Sequence, residues 1–171
     1  MNDASSSGWI ATYRATIEPA WIDYNGHLNV AYYLLLFDRA LDAALETFGI
    51  GPAYRQAHGC SVFVGEHHLV YDREVLAQAC VHIGSRILDV DERRLIIFQE
   101  MRVDAPVPDV TPPAEAAAPV ATCETLCVHV DLVARRSVAW PPDMGERLKR
   151  SCVGPAERPG RAGRAIHLAR R

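Results

Sequence analysis

Several features that mark other classes of protein are missing from this sequence of 171 residues. No run of apolar residues is long enough to cross a membrane, and the first residues lack the basic start and apolar segment of a signal peptide. There is also no excess of positive charge, since the net charge is −3, and this argues against general nucleic-acid binding. These absences predict a cytoplasmic protein with neither a membrane nor a nucleic acid as its partner.

The patterns that mark a disulfide framework or a metal site are missing as well. The sequence has five cysteines, an odd number without a Cys-x-x-Cys pair, which favours a reducing compartment. We expect Cys123 and Cys127 to pack as small apolar side chains on one strand face. The neighbouring His67 and His68 would point to opposite faces of a strand, which argues against a shared metal ion. The sequence therefore predicts no metal and no cofactor.

Apolar residues are plentiful enough for one domain with its own core. Their spacing predicts a first strand over 12–17 and a long, largely buried helix from Asn29 to Phe48. Alternating apolar residues then predict four further strands, over 61–71, 79–90, 95–103 and 120–133. This order of elements predicts an α+β fold in which an antiparallel sheet wraps around one long central helix.

The expected domain covers residues 1–143, and its Pro/Ala-rich segment 104–119 is interpreted as a mobile inserted loop. Residues 144–171 are expected to form a flexible basic tail that is dispensable for folding from about Gly154 onward. A sheet of long strands has unpaired edges, so we expect a homo-oligomer, either a dimer or a tetramer, formed through an edge strand.

The densest group of polar side chains lies just before the predicted helix. Asp23, Asn25, His27 and Asn29 alternate along one short loop. A helix start offers unpaired backbone N–H groups and the positive end of the helix dipole, so a carboxylate beside it suits acyl transfer. The alternative interpretation is structural, with Asn25-Gly26 as a turn and Asn29 as a helix N-cap.

The pattern Asp23-x-x-Gly26-His27-x-Asn29, followed by two tyrosines and a long helix, resembles the 4-hydroxybenzoyl-CoA thioesterase-like branch of hot-dog-fold acyl-CoA thioesterases. Three further stretches, over 66–74, 91–95 and 127–131, resemble the betainyl-CoA thioesterases of carnitine breakdown. The resemblance spans residues 11–143 apart from the insert. It implies hydrolysis of a short acyl-CoA thioester, with betainyl-CoA as the first candidate substrate.

The resemblance also implies roles for particular residues. Asp23 matches the acidic position of the family and would act as general base or nucleophile, with His27 and Asn29 as further catalytic candidates. The backbone N–H groups of Val30 and Ala31 would stabilise the oxyanion. The other candidate substrate-binding residues are Asn25, Gly26, Tyr32, Glu66 and His68. For His27, and for the pair Glu66 and His68, a purely structural role stays open.

Two other functions stay open from the sequence. One is a hot-dog dehydratase, which also uses a histidine and an acid, although the acid on the loop before the helix favours hydrolysis. The other is a non-catalytic acyl-CoA-binding module in which Asp23 only braces the loop. A trimethylammonium acyl group would need aromatic faces and a carboxylate. The aromatic candidates are Trp21, Tyr24, Tyr32, Tyr33, Tyr71 and Trp140, and Glu66 is the candidate carboxylate.

Overall fold

The computed structural model describes residues 9–104 and 118–163. The elements in chain order are β1 (Ala11–Thr16), α1 (Val30–Glu46), α2 (Pro52–His58), β2 (Cys60–Tyr71), β3 (Cys80–Val90), β4 (Arg94–Val103), β5 (Ala121–Asp131), β6 (Arg136–Ser137) and α3 (Pro142–Arg150). Over these residues, no helix combines the length and the apolar character that crossing a bilayer would demand.

The strands form one antiparallel sheet in the order β1-β3-β4-β5-β2, and the short β6 pairs with β5. The edges of the sheet are therefore β1 and β2. A β-bulge interrupts the pairing of β2 with β5 between Val64 and Glu66. Side chains alternate between the two faces of a strand, and the bulge adds one residue to this alternation. After the bulge, each residue of β2 therefore points to the face opposite to the one that an unbroken alternation would give.

Helix α1 lies on the inner face of the sheet. Its apolar residues recur every three or four positions, and Tyr33, Phe37 and Leu41 are among those buried against the strands. The buried side-chain amide of Gln99 donates to the Phe37 carbonyl oxygen and to Ser85 Oγ, both at 3.1 Å. These bonds satisfy polar groups inside the core and fix the position of the helix on β3 and β4.

The chain after α3 lies across the outer face of the sheet, and we call residues 152–163 the C-terminal strap. The Val153 N–H donates to the Ile87 carbonyl at 2.9 Å, and Arg158 donates to the Leu88 carbonyl at 3.3 Å. Further along, the Gly163 N–H donates to Glu124 at 2.7 Å. The strap therefore contacts β3 at its beginning and β5 at its end.

The structure confirms the α+β architecture, and each predicted strand agrees with an observed one to within two residues at either end. The predicted helix overlaps α1, with Asn29 outside the helix as its N-cap. Cys123 and Cys127 are both fully buried on the inner face, as expected of small apolar packing residues. The Pro/Ala-rich insert lies almost wholly outside the described residues.

Two helices are absent from the sequence interpretation. Helix α2 is short, and Tyr54 is its buried residue. Helix α3 occupies the start of the segment assigned to a flexible tail, and its Met144 and Leu148 are buried in the core. The domain boundary placed at residue 143 is corrected accordingly, because two apolar residues at i and i+4 dock this otherwise charged helix on the domain.

Candidate active site

The loop between Trp21 and Val30 is held in place by backbone hydrogen bonds. The Asn29 N–H donates to the Trp21 carbonyl at 2.9 Å, and the Leu28 N–H donates to the Val75 carbonyl at 2.8 Å. Trp21 and Leu28 are buried, so the loop is anchored at both ends. Gly26, at the tip, has φ +84°, a left-handed conformation that favours glycine. The sequence folds here into a fixed turn.

Asp23 lies at the start of this turn, with its side chain 14% exposed. Its Oδ1 atom accepts the Asn25 backbone N–H at 2.8 Å and lies 3.9 Å from Nδ1 of His27. Among the residues that the structure describes, no donor contacts the other oxygen, Oδ2. The carboxylate is therefore oriented through one oxygen, and the second is available to a reacting group.

The first residues of α1 begin next to this carboxylate. The Asn29 side chain accepts the Ala31 N–H at 3.0 Å, which makes Asn29 an N-cap, and the Tyr32 N–H donates to the Asn29 carbonyl at 3.0 Å. In the described part of the chain, the Val30 N–H has no such partner. Of the two predicted oxyanion donors, the Ala31 group is thus already engaged by the cap, and the Val30 group is the one left.

A cavity of about 370 Å³ opens beside Asp23 and the start of α1. This volume is within the range of roughly 300–1,000 Å³ that is usual for small-molecule sites. Two parts of the chain form its walls. One is the loop of Asp23 together with the first turn of α1, and the other is the end of β2 with the residues that follow it. The lining residues are Asp23, His27, Leu28, Val30, Tyr33, Tyr71, Asp72, Arg73 and Glu74.

Aromatic groups from α1 and the end of β2, and charged groups from the segment after β2, line this cavity. The Tyr33 and Tyr71 rings meet edge to face, with centroids 5.2 Å apart, and the Tyr33 hydroxyl donates to the Arg73 carbonyl at 3.4 Å. Burial is the main reason that the pKa values of both phenols lie above their usual value. For Tyr33, the neighbouring Tyr71 and Glu74 raise the pKa further, while a backbone hydrogen bond from Val75 lowers it. Both phenols are therefore neutral at physiological pH.

The structure does not bring Glu66 and His68 to Asp23. They line a separate hollow on the outer face with Glu124 and Leu126. The cause is the bulge in β2, since Val64 pairs with the buried Cys127 whereas Glu66 pairs with Leu126 on the other face. The bulge turns His67 inward instead, where its Nδ1 lies 3.0 Å from Thr125 Oγ1 and burial lowers its pKa.

The other candidate aromatic residues also lie outside the cavity. Tyr32 stacks on Trp21 with ring centroids 5.4 Å apart, Tyr24 is exposed to solvent, and Trp140 stacks on the buried His129. The charged lining residues that sequence reasoning left without a role in the acyl pocket are Asp72, Arg73 and Glu74. The stretch 66–74, which carries part of the family resemblance, is the signal that could have found them.

Other features of the described residues offer weaker sites. A second cavity of about 530 Å³ lies between the end of α1, α2 and the start of β2, far along α1 from the loop of Asp23. Burial raises the pKa of the Cys123 thiol to about 11 and that of Cys127 to about 12, so neither is a nucleophile at neutral pH. In residues 9–104 and 118–163, no three His, Cys, Asp or Glu side chains are grouped as metal ligands.

Comparison with known proteins identifies the family of this chain. The family described as the thioesterase-like superfamily matches residues 17–148. A betainyl-CoA thioesterase of Pseudomonas aeruginosa is 36% identical over 141 residues, which cover 82% of this chain and 80% of the relative. An L-carnitine dehydrogenase/betainyl-CoA thioesterase of Rhizobium meliloti is 32% identical over 163 residues; the match covers 94% of this chain but only 31% of that relative.

The fold has close counterparts among solved structures. A hypothetical protein of Staphylococcus aureus, solved in complex with CoA, superimposes with a TM-score of 0.75 at 21% identity, over 92% of this chain and 94% of that one. At this identity the likeness establishes the fold alone. With the family match over most of its length, the chain belongs to the thioesterase-like superfamily and has the hot-dog fold.

Proposed function

We propose that this protein hydrolyses the thioester bond of a short acyl-CoA, and that betainyl-CoA is its substrate. The observation that carries the proposal is that Asp23 and the first turn of α1 line one cavity. A carboxylate can activate or supply the attacking oxygen, and an unpaired N–H at a helix start can stabilise the oxyanion, so the cavity holds a group for each of the two needs of thioester hydrolysis. The choice of substrate is supported by relatives named betainyl-CoA thioesterase.

In the proposed reaction, the thioester carbonyl carbon lies against Asp23 and its oxygen points to the Val30 N–H. Asp23 either activates a water molecule or attacks the carbonyl carbon itself, with water then hydrolysing the acyl-enzyme. In the first route the C–O bond forms from water, Asp23 accepts the proton of that water and returns it to the sulfur, and the C–S bond breaks to release the CoA thiol. In the second route Asp23 forms the C–O bond, the C–S bond breaks to release the CoA thiolate, which gains a proton from solvent, and water then cleaves the mixed anhydride. The Val30 N–H and the positive end of the α1 dipole stabilise the negative charge on the carbonyl oxygen.

His27 and Asn29 support the reacting groups in this proposal. The His27 ring lies on the cavity wall, with Nδ1 3.9 Å from Asp23 Oδ1 and 3.3 Å from the Leu28 carbonyl oxygen, and it is proposed to contact the substrate carbonyl. Asn29 fixes the first turn of α1 through its cap. Asn25 supplies the backbone N–H that holds Asp23, and Gly26 supplies the left-handed turn between them.

The test is the release of free thiol from betainyl-CoA by wild type and by Asp23→Asn. The amide keeps the shape of the carboxylate but can neither accept a proton from water nor form an acyl-enzyme, so we expect a loss of about a hundredfold or more in kcat/KM. Asp89→Asn is the matched control, because Asp89 is an exposed aspartate at the far end of β3. Circular dichroism and the melting temperature establish that each variant is folded.

Three outcomes would contradict the proposal. Near-normal thiol release by a folded Asp23→Asn variant would remove Asp23 from the chemistry. Binding of acyl-CoA without thiol release by the wild-type protein would indicate the non-catalytic binding module. Conversion of a β-hydroxyacyl-CoA without thiol release would indicate a dehydratase.

A further inference from the structure

One corner of the Asp23 cavity is built from two aromatic rings and a carboxylate. The Tyr33 and Tyr71 rings are inclined at 77° with centroids 5.2 Å apart, an edge-to-face contact in which each ring covers part of the other. Tyr33 is 4% exposed and its hydroxyl bonds to the Arg73 carbonyl, so it offers almost no surface to a ligand and instead holds the Tyr71 ring in place. Tyr71 is 46% exposed and presents part of its surface to the cavity. The aromatic surface that this corner offers to the cavity is therefore that of Tyr71.

Glu74 gives this corner negative charge. Of the acidic side chains after β2, Asp72 is paired with Arg161 of the C-terminal strap, whereas Glu74 forms no ion pair with any residue the structure describes. The cationic group of the same segment, Arg73, donates to the Ala118 carbonyl. That carbonyl is neutral and leaves the Arg73 charge uncompensated, but two carboxylates that pair with no arginine or lysine among the described residues, Asp23 and Glu74, line the same cavity, so the net charge on its wall is negative. A neutral acyl group would gain nothing from this charge, but a cation would.

We propose that Tyr71, held in place by Tyr33, and Glu74 form the subsite that selects a quaternary ammonium group on the acyl chain. The inference deepens the proposed function and rests on it. A trimethylammonium group cannot donate a hydrogen bond, so it is recognised through the faces of aromatic rings and through an opposite charge. The accessible ring of Tyr71 supplies the first kind of contact, and Glu74 supplies the second.

The betainyl group is so short that the subsite for its cationic nitrogen must lie in the same cavity as the reacting carbonyl. In a betainyl thioester, one methylene separates the cationic nitrogen from the reacting carbonyl carbon, so the two atoms are about 2.5 Å apart by ordinary bond lengths. A carbonyl held between Asp23 and Val30 therefore places the cation among the other residues of that cavity. Glu66, on the outer face of the sheet, is excluded from this role.

The experiment compares two thioesters of the same shape. 3,3-Dimethylbutyryl-CoA carries a neutral tert-butyl group where betainyl-CoA carries trimethylammonium. In the wild-type protein we expect kcat/KM for betainyl-CoA to exceed that of the neutral isostere by about tenfold or more. Tyr71→Leu and Glu74→Gln should each reduce this ratio several-fold, whereas Tyr71→Phe, which keeps the aromatic face, should preserve it.

Matched controls are available for both kinds of substitution. Tyr24→Leu removes an exposed tyrosine that does not line the cavity, and Glu146→Gln removes an exposed charge on α3. Neither should change the ratio. A ratio near one in the wild type, or a ratio that Tyr71→Leu and Glu74→Gln leave unchanged, would overturn the subsite while the thioesterase function stands.

A binding measurement separates the two proposals. Titration of glycine betaine, followed by calorimetry, needs no turnover and should show weaker binding to Tyr71→Leu than to wild type. If neither thioester is hydrolysed, the proposed function fails, and this titration alone decides the subsite. Binding that depends on Tyr71 would then support it, and equal binding or no binding would overturn it.

Discussion

Asn29 shows how one side chain can suggest catalysis in the sequence and have a structural role in the fold. It lies in the polar loop two residues after His27, yet its side-chain oxygen accepts the Ala31 N–H at 3.0 Å. This bond leaves Val30, rather than Ala31, as the free donor at the start of α1. The contribution of Asn29 to activity is therefore proposed to be the placement of Val30.

We predict that Asn29→Ala lowers the free energy of unfolding by about 1 kcal/mol, as expected for loss of an N-cap. Asn29→Ser keeps an oxygen that can accept the same N–H, so it should retain both stability and thiol release. Urea unfolding and kcat/KM measured on both variants check the prediction. An Asn29→Ser variant with wild-type stability and a large loss of kcat would instead mean that Asn29 acts directly in catalysis.

Single residues also mark the limit of what the sequence can predict. Asp23 and Gly26 lie within one short turn, so their local pattern was enough to place them together. The position of Glu66 and His68 depends on the bulge between Val64 and Glu66, which exchanges inner and outer faces over the rest of β2. A two-residue alternation gives no warning of such a bulge, and the residues that it turns inward are His67, Leu69 and Tyr71.

At the scale of whole elements, strong periodicity was predictive and weak periodicity was not. Helix α1 and the long strands carry repeated apolar residues over ten or more positions, and the sequence predicted all of them. Helices α2 and α3 have seven and nine residues, with few buried side chains in each. Their formation depends on docking against the sheet and α1, which is tertiary information.

The buried residues of α3 make a specific prediction about this end of the domain. Leu148 is fully buried among apolar residues that include Ile87 and Trp140. Leu148→Ala should therefore lower the free energy of unfolding by about 2–5 kcal/mol, the usual cost of such a cavity. Lys149→Ala, at the exposed neighbouring position, is the control and should change stability by less than about 0.5 kcal/mol. Equal effects in chemical unfolding would mean that α3 does not belong to the core.

At the scale of the whole molecule, the sheet has one edge whose inner face is left uncovered by residues 9–104 and 118–163. Helix α1 packs on β1, β3 and β4, and the segment of β2 around the bulge receives no comparable cover. Val64 illustrates this, because it is 40% exposed while its cross-strand partner Cys127 is fully buried. On the outer side of the same strand, Phe63 is 43% exposed. An exposed edge strand with apolar side chains on both faces is a surface for pairing with another chain.

We predict that the protein is at least a homodimer that pairs through β2. Light scattering at micromolar concentration should give at least twice the chain mass of 18.9 kDa. Val64→Lys places a charge on the uncovered edge and should shift the protein towards the monomer. Thr12→Lys makes the same kind of change on the opposite edge strand, β1, and should leave the mass unchanged, because β2 is the edge with the exposed apolar residues. A wild-type protein that is monomeric at this concentration and hydrolyses the thioester at full rate would contradict the prediction, since the uncovered face of β2 would then need no second copy.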